Sequence, residues 1–203
     1  MQIFITGTDT DIGKTLVSSW LCLHSRYDYL KPIQTGSDHG TDSETVKNIS
    51  GNIVHPEIYL YQQPLSPHLA AIRDNIQIDL KKIMLPPKSN LIVEGAGGVM
   101  TPLNKSELMI DLIAMLALPV ILVVSSRLGT INHTLLTLEA LNTRKIKILG
   151  VIISGSLNQD NAESIEYYGK IKILMQLPYI NCINKRSLAD IKLSSSLQNL
   201  LLR

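Results

Sequence analysis

The feature that most constrains the fold lies at the start of the chain, where residues 3–15 read IFITGTDTDIGKT. The apolar and partly β-branched residues 3–6 predict a strand, and residues 16–25 predict a helix. A strand, a glycine-bounded loop, Gly-Lys-Thr and a helix together form the phosphate-binding P-loop arrangement. The sequence therefore predicts a nucleotide-binding protein with alternating strands and helices.

The predicted loop suits a triphosphate because the first turn of a helix has unpaired backbone N–H groups and the positive end of the helix dipole. Glycine lets the backbone approach phosphate closely. Lys14 can reach the β- and γ-phosphates, and the Thr15 hydroxyl can ligate Mg²⁺. However, Gly7 and Gly13 enclose five residues where the usual pattern has four. A simple glycine-bounded turn before a helix is therefore the alternative interpretation.

Composition narrows the class of protein. With 203 residues, of which 45% are hydrophobic, the chain is long enough for one domain, residues 1–203, with a substantial core. A net charge of +2 gives no reason to expect nucleic acid or an acidic membrane as partner, and 4% aromatic residues provide no base-stacking platform. The longest apolar run, residues 112–124, is interrupted by Pro119 and predicts a helix and a buried strand rather than a membrane span.

Cysteine usage and the N-terminus bear on the compartment. Cys22 and Cys182 form no motif; a disulfide stays open, but two widely separated thiols favour a reducing compartment. The P-loop strand at the N-terminus leaves no room for a signal peptide. We therefore expect a cytoplasmic protein.

Apolar runs recur along the chain and alternate with helical patterns. The predicted strands are residues 3–6, 29–33, 91–94, 120–125, 148–154 and 173–177, and the predicted helices are residues 16–25, 43–49, 78–84, 109–116, 132–142 and 163–172. Because strands that are apolar throughout are buried on both faces, the pattern predicts a P-loop NTPase-type α/β fold, with a mostly parallel sheet covered by helices on both faces. Ligands bind beyond the carboxyl ends of such strands.

Three charged side chains stand near these strand ends. Glu94 ends the run LIVE before Gly-Ala-Gly-Gly and could hold Mg²⁺ beside the P-loop, together with Thr15 and Asp42, because Mg²⁺ prefers oxygen ligands. The alternatives are an exposed acid for Glu94 and a helix N-cap for Asp42. Lys31, in KPIQTG, could neutralise transition-state charge beside a nucleotide, although a lysine at a strand end is usually a solvated surface charge.

Two histidines and the polar residues at the start of one predicted helix have ordinary structural explanations. His68 and His133 could act as bases, but a lone histidine is more often structural, and we assign neither a catalytic role. Thr130 and Asn132 open a predicted helix, where polar residues normally serve as caps. The same helix N-terminus would accept a carboxylate.

The ordered set of motifs resembles the dethiobiotin synthetase family, ATP-dependent carboxylases that close the ureido ring in biotin synthesis. This family has the same five-residue spacing in its P-loop, and an acidic residue follows its KPxxTG or KPxxSG motif, as Asp42 does here. The motifs that carry the resemblance cover the first two thirds of the chain in the same order: GTDTDIGKT (7–15), KPIQTG (31–36), SPH (66–68), VEGAGG (93–98), TPL (101–103), LPVILV (118–123) and LGTINH (128–133).

The resemblance implies a role for each matching position. It implies ATP as co-substrate, catalytic roles for Lys31 and Lys14, and Mg²⁺ held by Thr15, Asp42 and Glu94. Thr35 would contact the diamine end of 7,8-diaminononanoate. Within a homodimer, Gly129, Thr130 and Asn132 would bind the substrate carboxylate in the neighbouring subunit's site. The implied nucleotide-binding residues are Asp11, Ile12, Gly13, Lys14, Thr15, Leu16, Asp42, Glu94, Gly95, Ala96, Gly97, Ser154, Leu177, Pro178 and Tyr179.

The implied reaction joins the diamine to CO₂. One amine captures CO₂ to give a carbamate, which attacks the γ-phosphate of ATP and forms a carbamic–phosphoric anhydride. The second amine then expels phosphate and closes the five-membered ring, giving dethiobiotin, ADP and phosphate.

One departure from the family pattern concerns the nucleotide base. The family usually has Asn-Asp after the fifth predicted strand, with the Asn amide reading adenine, whereas this chain has Ser154-Gly155. A single hydroxyl cannot make the bidentate contact of an amide, so we expect a relaxed base preference. Beyond Tyr179 the resemblance gives no guide, and residues 187–202 predict an amphipathic helix that packs on the core.

Two other P-loop classes are the alternatives. Amidoligases that act on corrin precursors need a glutamine-hydrolysing domain with a nucleophilic cysteine, for which this chain offers neither the length nor the context. Partitioning-type ATPase switches usually carry a second lysine early in the P-loop, where this chain has Thr8, and often a basic amphipathic tail. A switch would hydrolyse ATP regardless of the diamine.

Overall fold

A seven-stranded parallel sheet organises the fold in the computed structural model of the chain, which describes residues 1–87 and 90–202. The strands in these ranges are β1 (Gln2–Gly7), β2 (Asp28–Leu30), β3 (Ile33–Gln34), β4 (Val54–His55), β5 (Tyr59–Leu60), β6 (Leu91–Glu94), β7 (Val120–Ser125), β8 (Ile148–Ser154) and β9 (Ile173–Leu177). The main sheet has the order β4-β2-β6-β1-β7-β8-β9, and β3 pairs with β5 in a separate two-stranded sheet.

Helices alternate with the strands of the main sheet. Those in the described part of the chain are α1 (Lys14–His24), α2 (Asp42–Ser50), α3 (Pro67–Arg73), α4 (Met109–Leu116), α5 (Thr130–Thr143), α6 (Gln159–Gly169), α7 (Lys185–Asp190) and α8 (Ser195–Leu201). None of the helices in residues 1–87 and 90–202 is long and apolar enough to cross a membrane.

Both faces of the sheet are covered, as the apolar strands predict. On β1, Ile3 and Ile5 pack in one cluster with Trp20 of α1, whereas Phe4 points to the other face and packs in a cluster with Ile110 of α4. Alternate residues of a strand face opposite sides, so a strand buried at every position needs a helical layer on each side. The predicted P-loop NTPase-type α/β fold is confirmed.

The strand predicted over residues 29–33 is wrong in one respect that matters for the site. β2 ends at Leu30 and β3 begins at Ile33, in a different sheet. Pro32 between them has no N–H to continue the ladder, and its carbonyl instead accepts hydrogen bonds from Ile58 and Tyr59 N–H groups. Lys31 therefore lies at the break, where the chain leaves the main sheet.

Two helix predictions are also corrected. Residues 78–84 contain only a short 3₁₀ turn, Leu80–Lys82, and bury Ile78, Leu80 and Ile83 while Met84 is exposed. The single helix predicted over residues 187–202 is two short helices, α7 and α8, whose Leu188, Leu197 and Leu201 pack in the α1 cluster. The predicted packing role of this region thus agrees with the structure.

Both cysteines are free, and they differ in burial, which gives a simple test of the fold. Cys22 lies buried in α1, and burial raises the pKa of its thiol, whereas Cys182 is exposed. Because the thiolate is the reactive form, we expect a maleimide reagent to modify the folded chain once, at Cys182, and a second time only after unfolding. Mass spectrometry of peptides from native and denatured protein checks this, and rapid native labelling of Cys22 would contradict the placement of α1.

Candidate active site

The strand order brings the three predicted parts of the site together. β1 lies next to β6, which lies next to β2, and all three run parallel. Ile5 of β1 is in register with Glu94, and Leu30 of β2 is in register with Val93. The P-loop, Glu94 and Lys31 therefore follow the carboxyl ends of three neighbouring strands, which is the edge where ligands bind in such sheets.

The P-loop has the local geometry that its unusual spacing requires. α1 begins at Lys14, directly after Gly13, whose φ of 96° lies in the left-handed region that glycine adopts readily. The additional residue is accommodated because Ile12 folds inward and packs where a side chain at Gly7 would otherwise lie. Ile12 thus gives the five-residue loop a buried anchor.

Lys14 lies beneath this loop. Its side chain is buried, and its Nζ donates a hydrogen bond of 2.6 Å to the carbonyl oxygen of Asp9. Burial lowers the pKa of Lys14, although the carboxylate of Glu94 acts in the opposite direction. The lysine therefore ties the start of the loop to the start of α1 and presents a cation at the floor of the cleft.

Glu94 is the centre of a buried polar cluster. Glu94 is 0% exposed. Its Oε1 accepts hydrogen bonds from Thr15 Oγ1 at 2.9 Å and from Lys31 Nζ at 3.2 Å. Lys31 also forms an ion pair and hydrogen bond with Asp42. The alternatives of an exposed acid for Glu94 and a solvated charge for Lys31 are therefore wrong, because both side chains are enclosed and paired.

The charge state of Lys31 follows from these neighbours. Burial alone would lower the pKa of this lysine, but the carboxylates of Glu94 and Asp42 outweigh burial and raise the pKa. Lys31 is thus an ammonium group at neutral pH, held between two acids at the edge of the cleft.

Asp42 is the first residue of α2, and the neighbouring Thr41 caps this helix. The N-cap of α2 is Thr41, whose Oγ1 accepts from the Glu44 N–H, while Glu44 Oε2 accepts from the Thr41 N–H at 2.8 Å. The Asp42 N–H donates to Gln34 Oε1 at 3.1 Å. The N-cap alternative for Asp42 is therefore wrong, and its carboxylate is free to pair with Lys31.

The donor set fits a magnesium ion that is shared with a nucleotide. Thr15, Glu94 and Asp42 contribute one hydroxyl and two carboxylates around the Lys31 ammonium, and Mg²⁺ prefers such oxygen donors. No cluster of three or more His, Cys, Asp or Glu side chains suited to a metal occurs in residues 1–87 and 90–202. A magnesium ion in this place would therefore depend on phosphate oxygens and water for the rest of its coordination.

Tyr29 is a member of this cluster that sequence reasoning missed. Its hydroxyl donates to Glu94 Oε2 at 3.0 Å, and its side chain is fully buried. Burial, with Glu94 and Asp42 nearby, raises the pKa of Tyr29 well above its usual range, so the hydroxyl keeps its proton. A tyrosine in an apolar strand is ordinarily a core residue, and the one available signal was its position two residues before Lys31.

An open cleft of about 810 Å³ lies above the cluster and is lined by half of the predicted site residues. The predicted residues that line it are Asp11, Gly13, Lys14, Thr15, Lys31, Thr35, Asp42, Glu94, Ala96 and Gly97. Lining residues to which no role was assigned from the sequence are Thr10, Gln34, Gly36, Gly40, Pro64, Leu65, Ser66, Pro67, Thr101 and Pro102. The SPH and TPL motifs thus contribute to the wall of the cleft.

Gly95 has a packing role in this wall. A side chain at Gly95 would lie 2.9 Å from the Phe4 ring and 3.2 Å from Met109 Sδ. The glycine at this position therefore allows β6 to pack closely against the core behind it. Ile12, Leu16 and Gly95 do not line the cleft, although they lie beside residues that do.

The predicted base-binding residues lie on the other side of the P-loop. Ser154 ends β8, and its Oγ lies 2.5 Å from the point where a side chain at Gly13 would begin. Leu177 is fully buried, and its carbonyl accepts from the Gly155 N–H at 3.0 Å. Tyr179 is 73% exposed. These residues do not line the cleft over the carboxylates, and the structure leaves their nucleotide-binding roles as predictions.

The start of α5 lies outside the cleft of its own chain. Gly129 is the N-cap, with a φ of 94° and no side-chain cap; Thr130 is buried, and Asn132 is exposed. Leu128, just before the helix, is fully exposed. Neither histidine joins the carboxylate cluster in the described structure: His68 Nδ1 lies 3.1 Å from Ser66 Oγ, and His133 is on the surface.

Known proteins similar to the chain fall into one sequence family and a broader fold group. The family described as "AAA domain" matches residues 1–187. The ATP-dependent dethiobiotin synthetase BioD of Lawsonia intracellularis is 54% identical over 200 residues, covering 98% of each chain, and that of Paramagnetospirillum magneticum is 46% identical over 191 residues, covering 93% of each. A ParA family ATPase from Chlorobium tepidum superposes with a TM-score of 0.60 over 99% of this chain and 97% of its own, at 10% identity, which shows a shared fold alone.

Proposed function

Because the chain belongs to the dethiobiotin synthetase family, we propose that it closes the ureido ring of dethiobiotin from 7,8-diaminononanoate, CO₂ and ATP. Dethiobiotin synthetases are ATP-dependent cyclo-ligases, and this chain is an enzyme of that class. The observation that carries the proposal is the meeting of the P-loop lysine with Lys31, Asp42 and Glu94 at one edge of the sheet. Such a cluster provides both phosphate binding and charge neutralisation.

The proposed roles follow from the positions of these groups. The loop N–H groups and Lys14 hold the triphosphate at the start of α1. Lys31 donates N–H groups to the oxygens that gain negative charge when the carbamate attacks the γ-phosphate. Mg²⁺ held by Thr15, Asp42 and Glu94 would neutralise further phosphate charge. Lys31 would thus stabilise the transition state of phosphoryl transfer more than the bound ground state.

Ring closure needs little beyond alignment. Once the carbamic–phosphoric anhydride has formed, the second amine is part of the same molecule, and its attack is an intramolecular step. Thr35 lines the cleft near Lys31 and would hold the diamine end, while its neighbour Gly36, at a φ of 75°, turns the chain along the wall.

We further propose a homodimer in which α5 of one subunit completes the site of the other. Gly129, Thr130 and Asn132 lie outside the cleft of their own chain, yet the uncapped N-terminus of α5 suits a carboxylate. The fully exposed Leu128 beside it suits burial against a neighbouring subunit. Sedimentation analysis that finds a monomer at assay concentration would contradict this arrangement.

We expect weaker discrimination among nucleoside triphosphates than an asparagine at the end of β8 would give. Ser154 offers one hydroxyl and lies against Gly13, so it cannot reproduce the paired donor and acceptor of an amide. The kcat/KM values for ATP, GTP and CTP, measured with the same diamine, check this expectation. A strict preference for ATP would show that other groups read the base.

The first test of the function is phosphate release from MgATP with and without the diamine, in the presence of bicarbonate. The proposal predicts that phosphate appears only when 7,8-diaminononanoate is added. A partitioning-type ATPase switch shares the fold but would hydrolyse ATP at the same rate in both reactions. Equal rates would therefore overturn the synthetase assignment and favour the switch.

A further inference from the structure

Glu94 is held on both of its oxygens, and the two oxygens have different partners. Oε1 faces the P-loop side, where Thr15 Oγ1 and Lys31 Nζ donate to it, whereas Oε2 accepts from Tyr29. We propose that Tyr29 is a positioning residue that fixes the rotation of the Glu94 carboxylate and so tunes the magnesium affinity of the nucleotide site. The inference rests on the proposed function, in which Glu94 and Thr15 serve Mg²⁺ together.

The parallel register of β2 and β6 explains how Tyr29 reaches this carboxylate. Tyr29 is paired with Ile92, so Glu94 lies two residues further along the neighbouring strand and its side chain points to the same face as that of Ile92. Lys31 lies two residues after Tyr29. The Tyr29 hydroxyl therefore reaches Glu94 from the amino-terminal side of the strands, whereas Lys31 reaches it at the carboxyl edge of the sheet.

Rotation of the carboxylate is the property that the phenol controls. The terminal torsion of a glutamate side chain has a broad energy profile, so the torsion itself does not fix the angle at which the carboxylate presents an oxygen to the cleft. A buried carboxylate oxygen needs a donor, and for Oε2 the Tyr29 hydroxyl is that donor, at 3.0 Å. With Oε2 fixed, Oε1 is directed towards Thr15.

Removal of a residue that hydrogen-bonds to a metal ligand commonly lowers the affinity of the site for the metal. Tyr29→Phe keeps the ring in its buried place and deletes one donor atom, which makes it a narrow test of this contact. We expect the magnesium-dependent part of nucleotide affinity to fall by about 10- to 100-fold. Nucleotide affinity in EDTA should be unchanged, because the loop and Lys14 are untouched.

The matched control is Tyr61→Phe. Tyr61 is also almost fully buried, but its hydroxyl has no hydrogen-bond partner among residues 1–87 and 90–202, so its removal costs no such contact. The measurement is the dissociation constant of ATP by calorimetry, with saturating Mg²⁺ and with EDTA, for wild type and both variants. Half-maximal activation by Mg²⁺ in the turnover assay is the second readout, and excess Mg²⁺ should restore kcat of Tyr29→Phe.

The outcomes separate this inference from the proposed function. Equal loss of affinity with Mg²⁺ and with EDTA would show that Tyr29 has only a structural role, and no loss in either would show that it does not position Glu94; both would overturn the inference. If the wild type itself bound ATP equally well with and without Mg²⁺, the magnesium site of the proposed function would be wrong instead.

A second experiment does not depend on the stability of Tyr29→Phe alone. In a Glu94→Gln background the carboxylate is gone, so Tyr29→Phe should add no further loss of magnesium-dependent affinity. Full additivity of the two substitutions would overturn the inference. In the wild type, ¹³C labelling of the hydroxyl-bearing ring carbon of the seven tyrosines should show a buried signal that shifts when Mg²⁺ joins bound ATP, and no shift would count against it.

Discussion

Lys31→Ala should reduce kcat by about 10²- to 10³-fold while the protein still binds MgATP, because a lost donor to developing charge affects the transition state more than the ground state. Lys31 lies between Asp42 and Glu94 at the edge of the cleft, whereas the nucleotide loop is held by other groups. Single-turnover phosphate release and ATP calorimetry measure the two quantities separately. Lys172→Ala, which removes an exposed lysine, is the control.

The same substitution should change stability in a way that depends on magnesium. Removing Lys31 leaves two carboxylates facing each other without their shared cation, and breaking a buried ion pair costs about 3–5 kcal/mol. In the proposed site MgATP would supply a cation to the same carboxylates, so it should raise the Tm of Lys31→Ala by more than it raises that of the wild type. An equal rise in both proteins would mean that the metal does not bind where Lys31 lies.

Lys14→Ala should instead impair binding of the nucleotide itself, as well as turnover. Lys14 is buried below the loop that we propose to hold the triphosphate, and it donates to the Asp9 carbonyl. A hydrogen bond to a charged group contributes about 1.5–3 kcal/mol, so ATP affinity should fall about 10- to 100-fold. The measurement is the ATP dissociation constant in both Mg²⁺ and EDTA.

Comparison of the two lysines tests whether their roles differ. The structure places Lys14 inside the loop and Lys31 between the acids, so only Lys14→Ala should weaken ATP binding in EDTA. Equal loss of ATP affinity in the two variants would contradict this division of roles.

The sequence predicted the strand ends well because strand burial and loop chemistry leave local patterns. Lys31, Glu94 and the P-loop were found separately, and the parallel sheet accounts for their meeting. The break after Leu30 was missed because Tyr29, Leu30 and Ile33 have the apolar character of one strand in spite of the intervening Lys31 and Pro32. The side-chain spacing gave no sign of it, although proline is a known disruptor of a strand ladder.

Contacts between distant residues could not be predicted in the same way. Tyr29 meets Glu94 across 65 positions of sequence, and Ser154 meets Gly13 across the P-loop from β8. Neither contact can be predicted from the neighbouring sequence, because Tyr29 has the pattern of a core residue and Ser154 that of a strand end. The helix predicted over residues 78–84 failed because buried apolar side chains at helical spacing also occur in irregular segments.

The identity of the product tests the proposed ring closure. Purified protein is incubated with MgATP, 7,8-diaminononanoate and ¹³C-bicarbonate, and the product is analysed by mass spectrometry. We expect dethiobiotin that carries the label in its ureido carbon, formed in equal amount to the phosphate released. If ATP still binds and is hydrolysed but no labelled dethiobiotin forms, the proposed function is contradicted.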